Sequence, residues 1–201
     1  MNQTTVYRSS KERYAFVLNN WFRIYSSKTV DDLLELVLSF ATYSLMNTSF
    51  AWPGGKCKRR QYLGRVTITG SVRVSFEFTV HGIHGNGWGS MLHVGSSASE
   101  RVPGIWFYPN SLRLYIRFSD CDGTDQSYDI KEGFTCSIGE TYKLFLQSQN
   151  NGGVVVTLNG NIIAKKDDAI LQTKYQVPVF AGNTWDLPAA VTIKNLIIQN
   201  F

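Results

Sequence analysis

Between residues 72 and 80 the chain alternates without a break: Val72, Val74, Phe76, Phe78 and Val80 on one parity, Arg73, Ser75, Glu77 and Thr79 on the other. Side chains of an extended strand point to opposite faces in turn. A strict apolar/polar alternation therefore requires a sheet with one face in a core and one in water. A helix would smear these residues around its whole circumference. Leu112, Leu114, Ile116 and Phe118 repeat the pattern against Arg113, Tyr115 and Arg117. Val154-Val-Val-Thr-Leu, Asn159-Gly160 and Asn161-Ile-Ile-Ala spell a hairpin, because Asn-Gly tolerates the two positive φ angles of a tight two-residue turn. Val191-Thr-Ile-Lys-Asn-Leu-Ile-Ile closes the chain as another strand. About ten to twelve short strands separated by turn signals predict an antiparallel β-sandwich over residues 65–201 rather than alternating βα units.

The first part of the chain has a different period. Tyr14, Val17, Leu18, Trp21 and Tyr25 form one helical stripe, with Ser9 and Glu12 spaced as a capping box before it. Leu33, Leu34, Val37, Leu38, Ala41 and Leu45 form a second stripe, opened by Thr29 and Asp32. Residues 1–52 thus read as a helical segment of two amphipathic helices. The Trp52-Pro-Gly-Gly breaker then opens a linker over residues 53–64, which holds the basic run Lys56, Lys58, Arg59 and Arg60. That run is expected to be solvated linker.

Composition narrows the class. Of 201 residues, 43% are hydrophobic and 17% charged, which fits a packed domain and not a disordered chain. A net charge of +5 is too small to indicate nucleic acid. The richest apolar stretch, residues 30–46, is broken by Asp31, Asp32 and Glu35, so no membrane span is expected. The start lacks the apolar core of a secretion signal, and three cysteines (Cys57, Cys121 and Cys136) cannot close a disulfide framework. Cys121 and Cys136 could pair in an oxidising compartment; the balance favours an intracellular protein.

Four passages carry a family likeness: Val72–Val80 running through His81-Gly-Ile-His-Gly-Asn-Gly to Trp88-Gly-Ser-Met-Leu-His-Val; Arg101-Val-Pro-Gly-Ile-Trp-Phe-Tyr through Arg117; Gly139-Glu-Thr-Tyr-Lys-Leu-Phe-Leu into the Asn159-Gly160 hairpin; and Gly182-Asn-Thr-Trp-Asp-Leu-Pro into the closing strand. In this order they resemble the concanavalin A/laminin-G-like jelly-roll group over about two thirds of the chain. The likeness implies a jelly-roll sandwich. It leaves function open, since members of such a group bind glycans, bind proteins, hydrolyse polysaccharides or build assemblies.

Chemistry separates these options. Jelly-roll glucanases resembling this fold set two acids on alternate positions of one strand, flanking the glycosidic bond. Here Glu77 stands alone between Phe76 and Phe78. No Gly-x-Ser-x-Gly elbow occurs, and His81, His84 and His93 lack a zinc-ligand pattern. A non-catalytic role follows. Asp120, Asp122 and Asp125 ring a glycine, so calcium is possible there, and the resemblance allows calcium at a sandwich rim; a plain Asp-Gly turn is the competing reading. No cofactor is otherwise required.

The glycine-rich stretch 82–89 offers Trp88, His84 and Asn86 as a contact loop. Trp106, Tyr108, Arg113, Arg117, Asn183, Trp185 and Asp186 have matching chemistry, aromatic faces with hydrogen-bonding neighbours. Trp106 and Phe107 alternate in one strand, so one of them belongs to the core. Arg73, Arg113, Tyr115 and Arg117 would form a basic aromatic sheet face if their strands are neighbours. The expected function is a recognition module with a protein partner inside the cell; the alternative is a lectin-like glycan binder, with or without the assistance of calcium.

Overall fold

The computed structural model describes residues 49–119, 125–128, 135–148, 152–167, 169, 171 and 173–201. The two N-terminal helical stripes, Asp120, Asp122 and Cys121 lie outside the described residues.

Among the described residues thirteen strands follow one another: β1 (Ser49–Lys56), β2 (Tyr62–Ile68), β3 (Val72–Val80), β4 (Gly89–Val94), β5 (Gly104–Phe107), β6 (Leu114–Ser119), β7 (Asp125–Tyr128), β8 (Thr141–Ser148), β9 (Val154–Leu158), β10 (Asn161–Lys166), β11 (Lys174–Phe180), β12 (Leu187–Pro188) and β13 (Val191–Asn200). One sheet has the order β1-β13-β3-β8-β9-β10; the other has β2-β11-β4-β5-β6-β7, with β12 added beside β4. All pairings are antiparallel except the short β12–β4 contact. The protein is a β-sandwich of two antiparallel sheets.

The alternation in the sequence becomes the core. Val72, Val74, Phe76, Phe78 and Val80 are buried and point toward Ile105, Phe107, Leu114, Ile116 and Phe118 of the facing sheet. Phe78 meets Phe107 edge-on across the interior, with centroids 6.3 Å apart, a favoured aromatic geometry. At the β9–β10 hairpin, Asn159 and Gly160 take φ of 50° and 82°, as the two-residue turn demands.

In β13 the alternation is interrupted. Asn195 adopts φ 53° and the register with β3 shifts between Lys194 and Ile197. This bulge keeps Ile193, Leu196 and Ile198 buried while turning Ile197 outward.

Residues 53–64 differ from the linker expected for them. Ser49–Lys56 is a strand that pairs with β13 from Ser49↔Gln199 to Lys56↔Thr192, and Tyr62 already belongs to β2. Pro53 is tolerated because β1 is the edge of its sheet, where a missing N–H breaks no ladder on the open side. Lys58, Arg59 and Arg60 are exposed in the turn between β1 and β2.

Candidate recognition surface

Core residues of β4, β5 and β6 leave the opposite parity for the outer face of the second sheet. The register sets two rows across it. Ser90 lies opposite Trp106, and Trp106 opposite Tyr115; His93 lies opposite Gly104, and Gly104 opposite Arg117. Phe107 is the core member of its pair. Trp106, on the outer face, is nonetheless buried. Its indole lies over Gly104, where any Cβ would overlap the ring. The Arg101 guanidinium sits 5.1 Å from the Trp106 ring and the His93 ring is 5.9 Å away, edge-on. Trp106 Nε1 donates to Asp186 Oδ2 at 2.9 Å, so the buried N–H is satisfied.

Beside this pair, three rings meet in a triangle. Trp88 is 4.9 Å from Tyr108 and 4.6 Å from Tyr115, and the two tyrosines are 5.0 Å apart. The Arg113 guanidinium lies 4.6 Å from the Tyr108 ring and that of Arg117 lies 5.6 Å from Tyr115. All five side chains are half-buried. Arg113 Nε is buried with no hydrogen-bond partner among the described residues. The arrangement presents aromatic edges and stacked guanidinium planes, with their rotamers already held by each other.

The structure therefore brings together Trp88, Tyr108, Arg113, Tyr115 and Arg117 of the residues singled out in the sequence, while Arg73, on β3, belongs to the other sheet. The others have local tasks. His84 packs its ring against Phe107, fills the space above Gly89 and shares a 2.7 Å hydrogen bond with the Gly87 carbonyl. Asn86 is exposed in the same loop. Asp186 accepts from Asn183 Nδ2 at 2.8 Å as well as from Trp106, while Asn183 Oδ1 accepts from the backbone N–H of Trp185 and Asp186. This turn holds Trp185 over His93, centroids 5.1 Å apart, with 42% of Trp185 exposed. Asp125 opens β7 opposite Ser119, and the calcium expectation rests otherwise on residues outside the described set. Among the described residues no three His, Cys, Asp or Glu side chains form a group that could hold a metal.

Sequence reasoning missed Arg101 and the place of His93. His93 is fully buried, and its pKa is lowered to about 4, chiefly by burial; the Ser97 carbonyl, Asp186 and Glu100 act the other way and Arg101 acts with burial. Its Nε2 lies 3.1 Å from the Ser97 carbonyl, so the neutral ring donates there. Cys57 and Cys136 carry free thiols pushed up to about 12 by burial, which removes both as nucleophiles.

No protein-family model and no curated protein matches the chain. Solved structures do. The receptor binding domain of botulinum neurotoxin D superposes with a TM-score of 0.56 at 11% identity, over 76% of this chain and 45% of that one. A second structure of the botulinum neurotoxin serotype D binding domain gives 0.51 at 13% identity, over 67% and 34%. A Trypanosoma rangeli sialidase reaches only 0.49, at 10% identity over 65% and 21%. The chain spans less than half the length of each of these structures. At such identities the likeness concerns the fold: a β-sandwich of the kind found in binding domains.

Proposed function

We propose that this chain is a non-catalytic recognition module that docks a protein partner against the outer face of β4, β5 and β6. The observation that carries this reading is the cluster of Trp88, Tyr108 and Tyr115 with Arg113 and Arg117, half-buried before any partner arrives. Trp, Tyr and Arg are the residues that dominate protein interfaces, and rings already held in place lose little rotamer freedom on binding. A glycan would favour one flat, open ring; here each ring already touches the other two. The free thiols of the half-buried Cys57 and the buried Cys136 accord with an intracellular setting. Strand order within residues 65–201 also supports the concanavalin A/laminin-G likeness within the sandwich class.

A photo-reactive side chain at the exposed Asn110, which is bonded through its N–H to the Gly85 carbonyl beside the cluster, tests the reading in cell extract. Discrete protein adducts are expected at Asn110 and not at Ile197 on the other sheet. Trp88→Ala should remove them, with binding at least about thirtyfold weaker, the scale of an interface hot spot. The folded variant should remain stable to within about 1–2 kcal/mol, since Trp88 is only half-buried. A glycan array, run with calcium and with a chelator, decides the alternative. Saturable sugar binding lost in Trp88→Ala would make this a lectin, and calcium dependence would revive the metal expectation at Asp120, Asp122 and Asp125.

A further inference from the structure

Register places five connections at one end of the sandwich. Tyr62 faces Phe180, Val80 faces Val191, Thr79 faces Thr141 and Gly89 faces Phe107. Residues 57–61, 81–88, 108–113, 137–140 and 181–186 therefore emerge together. Among the described residues nine large apolar side chains are exposed, and five belong to this end: Tyr62 (53%), Ile83 (54%), Ile138 (60%), Trp185 (42%) and Leu187 (39%). The remaining four are divided among other places, so the concentration is a property of this end.

The same end carries cations. Lys58, Arg59 and Arg60 are exposed, and no ion pair among the described residues involves them. Their turn is bonded to the segment leading to Trp185: Lys58 N–H to the Ala181 carbonyl at 3.3 Å, Gln61 N–H to Gly182 at 3.1 Å and Arg60 N–H to Asn183 at 3.0 Å. Gly182, at φ 90°, lies so close to the Lys58 carbonyl that a Cβ would overlap it. The basic turn is thereby fixed within a few residues of the exposed indole. Lys143 adds a further exposed positive charge nearby and Glu140 one negative.

We infer that this end of the sandwich docks on an anionic lipid surface. Apolar tips on separate loops do not form the continuous dry patch that a protein interface needs at its centre. A lipid interface is a deformable solvent that accepts each tip singly. Trp and Tyr favour the headgroup level, where an apolar ring meets water. Lys58, Arg59 and Arg60 supply the second signal that stable attachment requires, attraction to anionic headgroups.

The full chain is mixed with vesicles of phosphatidylcholine alone and of phosphatidylcholine with phosphatidylserine, and bound protein is measured by sedimentation. Partition onto the phosphatidylserine vesicles, reversed by high salt, is expected. Lys58→Glu with Arg59→Glu and Arg60→Glu should weaken it by roughly a hundredfold, given the contribution of each basic residue near such a surface. All three are exposed, so the variant should fold. Ile83→Ser with Leu187→Ser should weaken it about tenfold or more, and Ile197→Ser, exposed on β13 away from this end, should leave it unchanged. Failure of the folded chain to partition, or partition that either set of substitutions leaves intact, overturns the inference.

Discussion

At the scale of single residues, the outer face is organised by hydrogen bonds that hold rings where water would otherwise sit. Asp186 accepts from both Trp106 and Asn183, and it thereby joins the β11–β12 connection to β5. His93 lies beneath this roof, between Trp106, Phe180 and Trp185. Its neutral ring gives stability a pH dependence. The pKa falls from 6.5 in the unfolded chain to about 4 in the fold. Between those values the unfolded chain binds more protons, so stability is full above about pH 6.5 and is lost as pH falls toward 4. The slope approaches about 1.4 kcal/mol per pH unit within that window. Urea midpoints at pH 7 and pH 5 should differ accordingly, and His93→Gln should flatten the difference. Equal slopes in parent and variant would assign the dependence to other groups. The sequence showed little of this. His93 stands in Gly89-Ser-Met-Leu-His-Val, a run buried on both sides, where no alternation marks a face. Trp106 and Asp186 are eighty positions apart, and only the fold makes them a pair. Trp88, Arg113 and Arg117 were legible because loop chemistry and strict alternation identify outward positions before any register is known.

Among elements, legibility followed burial on one face. β3 and the β9–β10 hairpin could be read directly, since one parity is apolar and the turn residues are the ones the geometry needs. β1 could not. Its Trp52-Pro-Gly-Gly has the punctuation of a loop, and only its position at a sheet edge lets Pro53 and Gly54 belong to a strand. The β1–β2 turn illustrates how such an edge is secured, by four backbone hydrogen bonds with residues 181–183. Gly182→Ala should break this attachment, because the left-handed φ and the nearby Lys58 carbonyl both reject a methyl group. A loss of about 2 kcal/mol or more is expected. Amide exchange should accelerate at Lys58, Arg60 and Gln61 while β3 keeps its protection. Unchanged exchange at those three amides would show that the turn is held by something else.

For the sandwich as a whole, the two sheets share one interior, and among the described residues neither has another surface on which to bury its apolar parity. They should unfold together. Trp52 lies on the edge strand of one sheet and Trp106 on the outer face of the other, so each reports its own side. In the unaltered chain, backbone amide signals from the two sheets should show the same urea midpoint, as a single cooperative unit requires. Separate midpoints would mean that the sheets are independent folding units. One feature of the topology reaches beyond the finished molecule. β13 is inserted between β1 and β3, pairing with one from Ser49 to Lys56 and with the other from Val72 to Val80. During synthesis both neighbours leave the ribosome long before the strand that separates them. Until Asn200 emerges, β1 and β3 each present an open ladder, and the apolar parity of β3 has no completed sheet to support it. Neighbouring nascent chains on one messenger carry the same bare edges at the same moment, so crowded polysomes are where this topology is most exposed to wrong pairing between chains.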